Sequence, residues 1–116
     1  MNREITFNIS SIDEIYVSSD TFNGWYTGRR LYAGQSGEDE ATRLTFEFGS
    51  DFAGFTASIY FGDTVVDSGS LSTGSMDIEY DIVDTYMVPE VIKMRITATD
   101  GTQTFKSRLI YLEVSR

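Results

Sequence analysis

Strict alternation across Val91–Val114 (VIKMRITATDGTQTFKSRLIYLEV) limits this chain more than any other stretch does. Ile92, Met94, Ile96 and Ala98 fall on one side of an extended segment, and Lys93, Arg95, Thr97 and Thr99 fall on the other. A period of two is the mark of a strand with one face buried and one face wet. Asp100-Gly101 supplies residues that tolerate positive φ, and the chain returns along Gln103–Val114, so the stretch reads as a hairpin. A two-residue loop would pair Ile96 with Phe105, Met94 with Ser107 and Ile92 with Leu109. A three-residue loop would turn Lys106 and Arg108 onto the core face, where each buried charge costs several kcal/mol. The even-length loop therefore wins, and it sets Arg95 against Lys106 and Lys93 against Arg108 on the outer face. Like charges so opposed cost roughly 0.2–1 kcal/mol per pair, and an acidic surface is expected to neutralise them.

The rest of the chain repeats this pattern in shorter pieces. Arg3–Ile9 alternates with Ile5, Phe7 and Ile9 inward, and Ile12–Val17 reads as a short second strand. Arg29–Ala33 is a further candidate. Thr42–Phe48 and Phe55–Phe61 alternate around a Gly49–Gly54 turn and look like a second hairpin. Thr64–Asp67 is a short strand, and Ser68–Ser75 is a flexible loop anchored by Leu71. Met76–Ile82 places Ile78, Tyr80 and Ile82 on one face and an acidic stripe of Asp77, Glu79 and Asp81 on the other. Pro89 ends any strand through it, with a helical turn beside it. Seven or eight strands joined by Gly- and Ser-rich turns, with no amphipathic helix of ten residues, predict one all-β domain over residues 1–116. The expected architecture is an antiparallel β-sandwich, immunoglobulin-like or alternatively jelly-roll-like.

Composition narrows the chemistry. The chain has no cysteine and no histidine, so thiol chemistry, Cys-ligated zinc and the commonest general base are missing. No catalytic residues, cofactor or metal site are expected. The run Glu38-Asp39-Glu40 matches no calcium-loop spacing and reads as a solvated loop. The formal charge of −9 opposes binding to nucleic-acid phosphates. No stretch is long and apolar enough to span a membrane, and MNREITFNIS lacks the pattern of a secretory signal. The charge is also uneven: residues 1–90 carry 16 acids and 4 bases, whereas residues 91–116 carry 2 acids and 5 bases. A negative body with a positive end suits either internal pairing or heterologous contact, homo-oligomers included.

Two candidate surfaces emerge. The first is a partner-binding face made of Lys93, Arg95, Lys106 and Arg108, with Ile110 and Leu112 adding apolar area, since Leu109–Leu112 is apolar on both sides or else bulged. The second is a sugar-stacking platform of Phe22, Trp25, Tyr26 and Tyr32, which would make the domain a carbohydrate-binding module. A lone Trp in a small sandwich otherwise serves as a core plug.

Two stretches, TRLTFEFGSDFAGFTASIYFGD (Thr42–Asp63) and MVPEVIKMRITATDGTQTFKSRLIYLEV (Met87–Val114), resemble the N-terminal domain of phage baseplate upper proteins and related immunoglobulin-like accessory domains of tailed-phage particles. The shared features are a strand ending near a Gly, a Pro-Glu-Val step, an Asp-Gly turn and a Thr/Ser-bearing return strand ending in Val. The resemblance implies a non-enzymatic virion protein, assembled in the host cytoplasm, that docks on major capsid or tail components. Baseplate proteins continue into a stalk, and this sequence ends at Arg116, which moves the expectation toward capsid decoration or a head-fibre base.

Overall fold

The computed structural model describes residues 2–11, 14–18, 23–25 and 31–116, with side chains at 2–9 and 31–116. Two β-sheets pack face to face. One contains β1 (Arg3–Ser11), β2 (Glu14–Ser18), β3 (Asn23–Trp25), β5 (Thr42–Phe48) and β8 (Asp77–Asp81), in the order β3-β2-β1-β5-β8. The other is built from β4 (Leu31–Gln35), β6 (Thr56–Phe61), β7 (Thr64–Ser70), β9 (Glu90–Thr99) and β11 (Ile110–Ser115), in the order β4-β11-β9-β6-β7. The short β10 (Thr104–Lys106) adds to β9. The described residues thus form an all-β sandwich with more strands than predicted, because β3 and β10 are three-residue pieces that periodicity does not register.

The inward positions follow from the alternation. Ile5, Phe7 and Ile9 lie beside Leu44, Phe46 and Phe48. Across the core stand Ala57, Ile59 and Phe61 of β6, Ile92, Met94, Ile96 and Ala98 of β9, and Ile110, Leu112 and Val114 of β11, all buried. Phe7 and Phe46 stack with centroids 5.0 Å apart and planes 8° from parallel. Aromatic groups close both ends of the sandwich. Phe52 meets Phe48, Phe55 and Phe105 edge-on at one end, and Phe61 meets Tyr80 and Tyr86 edge-on at the other.

Four expectations are corrected. The sheets are mixed, not purely antiparallel: β1 runs parallel to β5, and β4 runs parallel to β11. Thr42–Phe48 and Phe55–Phe61 are not a hairpin. They lie in different sheets, and a 3-10 turn at Ser50–Phe52 carries the chain across with Phe52 buried in the crossing. The strand at Thr64 runs on to Ser70, so the loop is shorter than expected and turns at Ser72–Ser75, with Leu71 buried as its anchor. The helical turn lies at Asp84–Tyr86, ahead of Pro89. Of the early strand expectations, residues 12–13 and 29–30 fall outside the described residues, while β2 and β4 follow directly after them.

The last hairpin is where sequence and structure diverge most informatively. Its loop has four residues, not two: Thr99 pairs with Thr104, Ala98 with Phe105 and Thr97 with Lys106. Asp100 is the reason. Its carboxylate accepts the amides of Thr102 at 2.8 Å and Gln103 at 2.7 Å, and its own amide donates to the Gln103 carbonyl at 3.1 Å. This Asx-type clamp holds a longer turn around Gly101, whose φ is +94°. A four-residue loop keeps the parity of a two-residue loop, so Lys106 and Arg108 do stay off the core face and are exposed. Their partners differ, however: Lys106 opposes Thr97 and Lys93 opposes Tyr111, so the like-charge pairs expected from the shorter loop do not form.

Beyond Arg108 the parity reverses. Ser107 bonds Ile96, yet Ile110 pairs with Met94, so the return strand carries one extra residue across from Arg95. That bulge turns Ile110 and Leu112 inward.

The edge strand β7 has Asp67 opposite Ile59, at a core-side register position, where it is half-buried.

Candidate docking face

The outer face of the second sheet collects the cations of the hairpin, with Lys93, Lys106 and Arg108 exposed and Arg95 half-buried. Lys93 and Arg95 are outward neighbours on β9, about 6–7 Å apart by strand geometry. Arg95 and Lys106 line one shallow depression of about 230 Å³ together with Tyr60, Gly62, Asp63 and Thr97. Arg108 is exposed in the bulge that faces Arg95. Arg95 is held in place, its Nε donating to the Ser107 carbonyl at 3.1 Å. Lys93 lines the next depression along β9, which is more apolar, with Phe61, Tyr86, Val88 and Val91 around it.

These four cations differ from Arg3 and Arg43. Arg43 is bound by Asp81, with Nε–Oδ1 at 2.9 Å, and by Glu79 at 3.3 Å. The bond from Asp81 raises the Arg43 pKa, and the bond from Arg43 holds the Asp81 carboxyl below its usual range. Arg3 donates to Glu38 at 3.2 Å, to the Ala33 carbonyl at 3.1 Å and to Thr42 Oγ1 at 2.7 Å, and its guanidinium lies 5.1 Å from the Tyr32 ring centre. Among the described residues, no ion pair engages Lys93, Arg95, Lys106 or Arg108.

The acidic stripe is therefore not their complement within the monomer. Asp77, Glu79 and Asp81 lie on β8, on the outer face of the opposite sheet, and the side chain that answers Glu79 and Asp81 is Arg43 on the neighbouring strand. Glu47 stands directly opposite Asp77, a like-charge pair within the same sheet.

Ile110 and Leu112 are fully buried, so they belong to the core and leave the docking face. Phe22 and Tyr26 lie outside the described residues, and Trp25 is placed as a strand residue opposite Tyr16 without a described side chain. Tyr32 is exposed, but the Arg3 guanidinium covers one face of its ring. The acidic loop is bonded, not merely solvated: Glu38 accepts the Gln35 amide at 2.8 Å besides holding Arg3, and Asp39 accepts the Asp84 amide at 3.0 Å. The Gln35 bond first and the Arg3 bond second lower the Glu38 pKa. Among the described residues, no group of three acidic side chains converges as a metal site, and no helix is long and apolar enough to cross a membrane.

Tyr60, Gly62 and Asp63 were not anticipated as part of this face. The alternation of Phe55–Phe61 does put Tyr60 outward, but only the pairing of β6 with β9 brings it opposite Arg95. That pairing joins segments some 35 residues apart, and no local pattern announces it.

No family model, no curated protein and no solved structure matches the chain.

Proposed function

We propose that this chain is a non-enzymatic structural domain that docks, through the outer face of its second sheet, onto an acidic surface of a larger assembly. One observation carries the reading: Lys93, Arg95, Lys106 and Arg108 sit on one face with no ion pair among the described residues, while Arg3 and Arg43 are each paired with carboxylates of their own molecule. Unpaired cations around a shallow depression steer an acidic partner and fix its register. The apolar strip beside Lys93, with Val88 58% exposed, supplies area for such a contact.

The resemblance of Thr42–Asp63 and Met87–Val114 to phage accessory domains supplies the setting. In that setting the domain is a virion component, docked on the capsid as decoration or head-fibre base, or on the baseplate. The test is incorporation. An Arg95→Glu/Lys106→Glu variant should fold, because both side chains sit on the outer face, and should be lost from purified particles. Its incorporation at the wild-type level would overturn the docking role. Absence of the wild-type chain from particles would overturn the virion setting.

A further inference from the structure

Among the described residues, the two broad faces of the sandwich carry opposite charge. On the outer face of the first sheet, Glu4, Glu47, Asp77, Glu79 and Asp81 surround a single described cation, Arg43. On the outer face of the second sheet stand Lys93, Arg95, Lys106 and Arg108, with Asp63 at the rim of their depression and Glu113 on β11. Arg43 satisfies Asp81 and touches Glu79, but Glu79 remains 57% exposed in its side chain, and Glu47 and Asp77 oppose each other with no cation between them among the described residues. Each face thus has what the other lacks, and the thickness of the sandwich keeps the two from meeting within one molecule.

We propose that the occupant of the basic face is a second copy of this chain, seated by the acidic face of its first sheet. The inference rests on the reading of the basic face as a docking surface and names its partner. The spacing of the charges supports the match. Asp77 and Glu79 are outward neighbours on one strand, and Lys93 and Arg95 are outward neighbours on another, so both ladders repeat at about 6–7 Å. Two such ladders laid face to face bring successive carboxylates over successive cations. The two surfaces differ, so the contact is heterologous. It closes into a ring if the rotation between copies allows, and otherwise it extends as a stack. In an open stack, one terminal copy is left with a free basic face to meet the particle.

Net charge sets the conditions. Copies of charge −9 repel as whole bodies. At about 0.1 M salt that repulsion is screened beyond about 10 Å, whereas charges in contact are not; at about 1 M the screening length falls to about 3 Å and the contacts weaken too. Association should peak at intermediate salt.

Sedimentation equilibrium tests this. The wild-type chain at about 0.15 M salt should show a mass rising with concentration above the 13.0 kDa monomer, and should return toward the monomer at about 1 M. Two outer-face variants dissect the contact: Lys93→Gln/Arg95→Gln/Lys106→Gln on the basic side, and Glu47→Gln/Asp77→Asn/Glu79→Gln on the acidic side. Each alone should stay monomeric with a native far-ultraviolet spectrum. An equimolar mixture should form a one-to-one dimer and grow no further. A wild-type chain that stays monomeric at every salt concentration overturns the proposal, as does a mixture that fails to dimerise. If the wild type is monomeric while Arg95→Glu/Lys106→Glu still abolishes incorporation, self-stacking fails and docking on another protein stands.

Discussion

The Ser107 hydroxyl accepts the amide of Ile96 at 3.0 Å, in a buried position where a strand carbonyl would otherwise serve. The same hydroxyl donates to the Arg108 carbonyl at 2.8 Å, and the Ser107 amide donates to Ile96 at 2.9 Å. These bonds hold the bulge that reverses the inward and outward positions of the return strand. Ser107→Ala leaves the Ile96 N–H buried with no acceptor, which costs about 1–3 kcal/mol. The expected result is a lower urea midpoint with an unchanged slope.

The reversal itself is measurable by comparing neighbours. Ile110 is fully buried beside Met94, so Ile110→Ala should destabilise by about 2–5 kcal/mol. Arg108 is exposed, and Arg108→Ala should stay within about 0.5 kcal/mol of wild type. Equal effects at the two positions would contradict the bulge.

Gly34 is a second point of leverage. Its φ is +132°, and a Cβ there would collide with Glu38 Oε1 and lie 2.5 Å from Arg3 Nη1. The close approach lets Arg3 and Glu38 meet across β4 and tie the two sheets together. Gly34→Ala should cost at least the roughly 1–3 kcal/mol of a strained backbone residue, and a thermal melt would show the loss. The Arg3→Ala background should blunt the effect, because part of the clash is with that side chain.

Acid should loosen the molecule through three carboxylates. Asp81 is held low by Arg43, Glu38 by the Gln35 amide and then Arg3, and Asp100 by the amides of Gln103 and Thr102. Each folded-state value lies below the unfolded one, so the unfolded chain binds more protons in acid. Their contribution is present above the ordinary carboxylate range, near about 4, and is lost as pH falls through the lowered folded values. Urea denaturation as a function of pH should show stability declining on the acid side. Arg43→Gln should shift the Asp81 titration, followed by carboxyl NMR, back toward its ordinary value.

Much of the architecture is written in local alternation. Thr42–Phe48 appears with the expected bounds, and β1, β6, β8 and β9 present the inward residues that their period of two predicts. Relations between distant segments are not written there. The parallel pairing of Phe7 with Phe46, the separation of β5 from β6 and the placing of Tyr60 opposite Arg95 depend on how whole strands settle against each other. The candidate docking face was half legible. Parity carried Lys93, Arg95, Lys106 and Arg108 to a common side, because charges refuse the core. Ile110 and Leu112 were misplaced because one extra residue, pinned by a serine hydroxyl, exchanges the two sides of a strand. A serine in a polar stretch gives no sign of that role.

Asp67 bears on how copies can meet. On the outermost strand β7 it stands opposite Ile59, half-buried on the core side. A neighbouring chain that hydrogen-bonded along that margin would seal a carboxylate from water beside hydrocarbon, an uphill step that guards exposed strand margins against runaway lateral fusion. Growth through the broad surfaces escapes this obstacle, so any ordered polymer of this domain should layer its sheets rather than lengthen them.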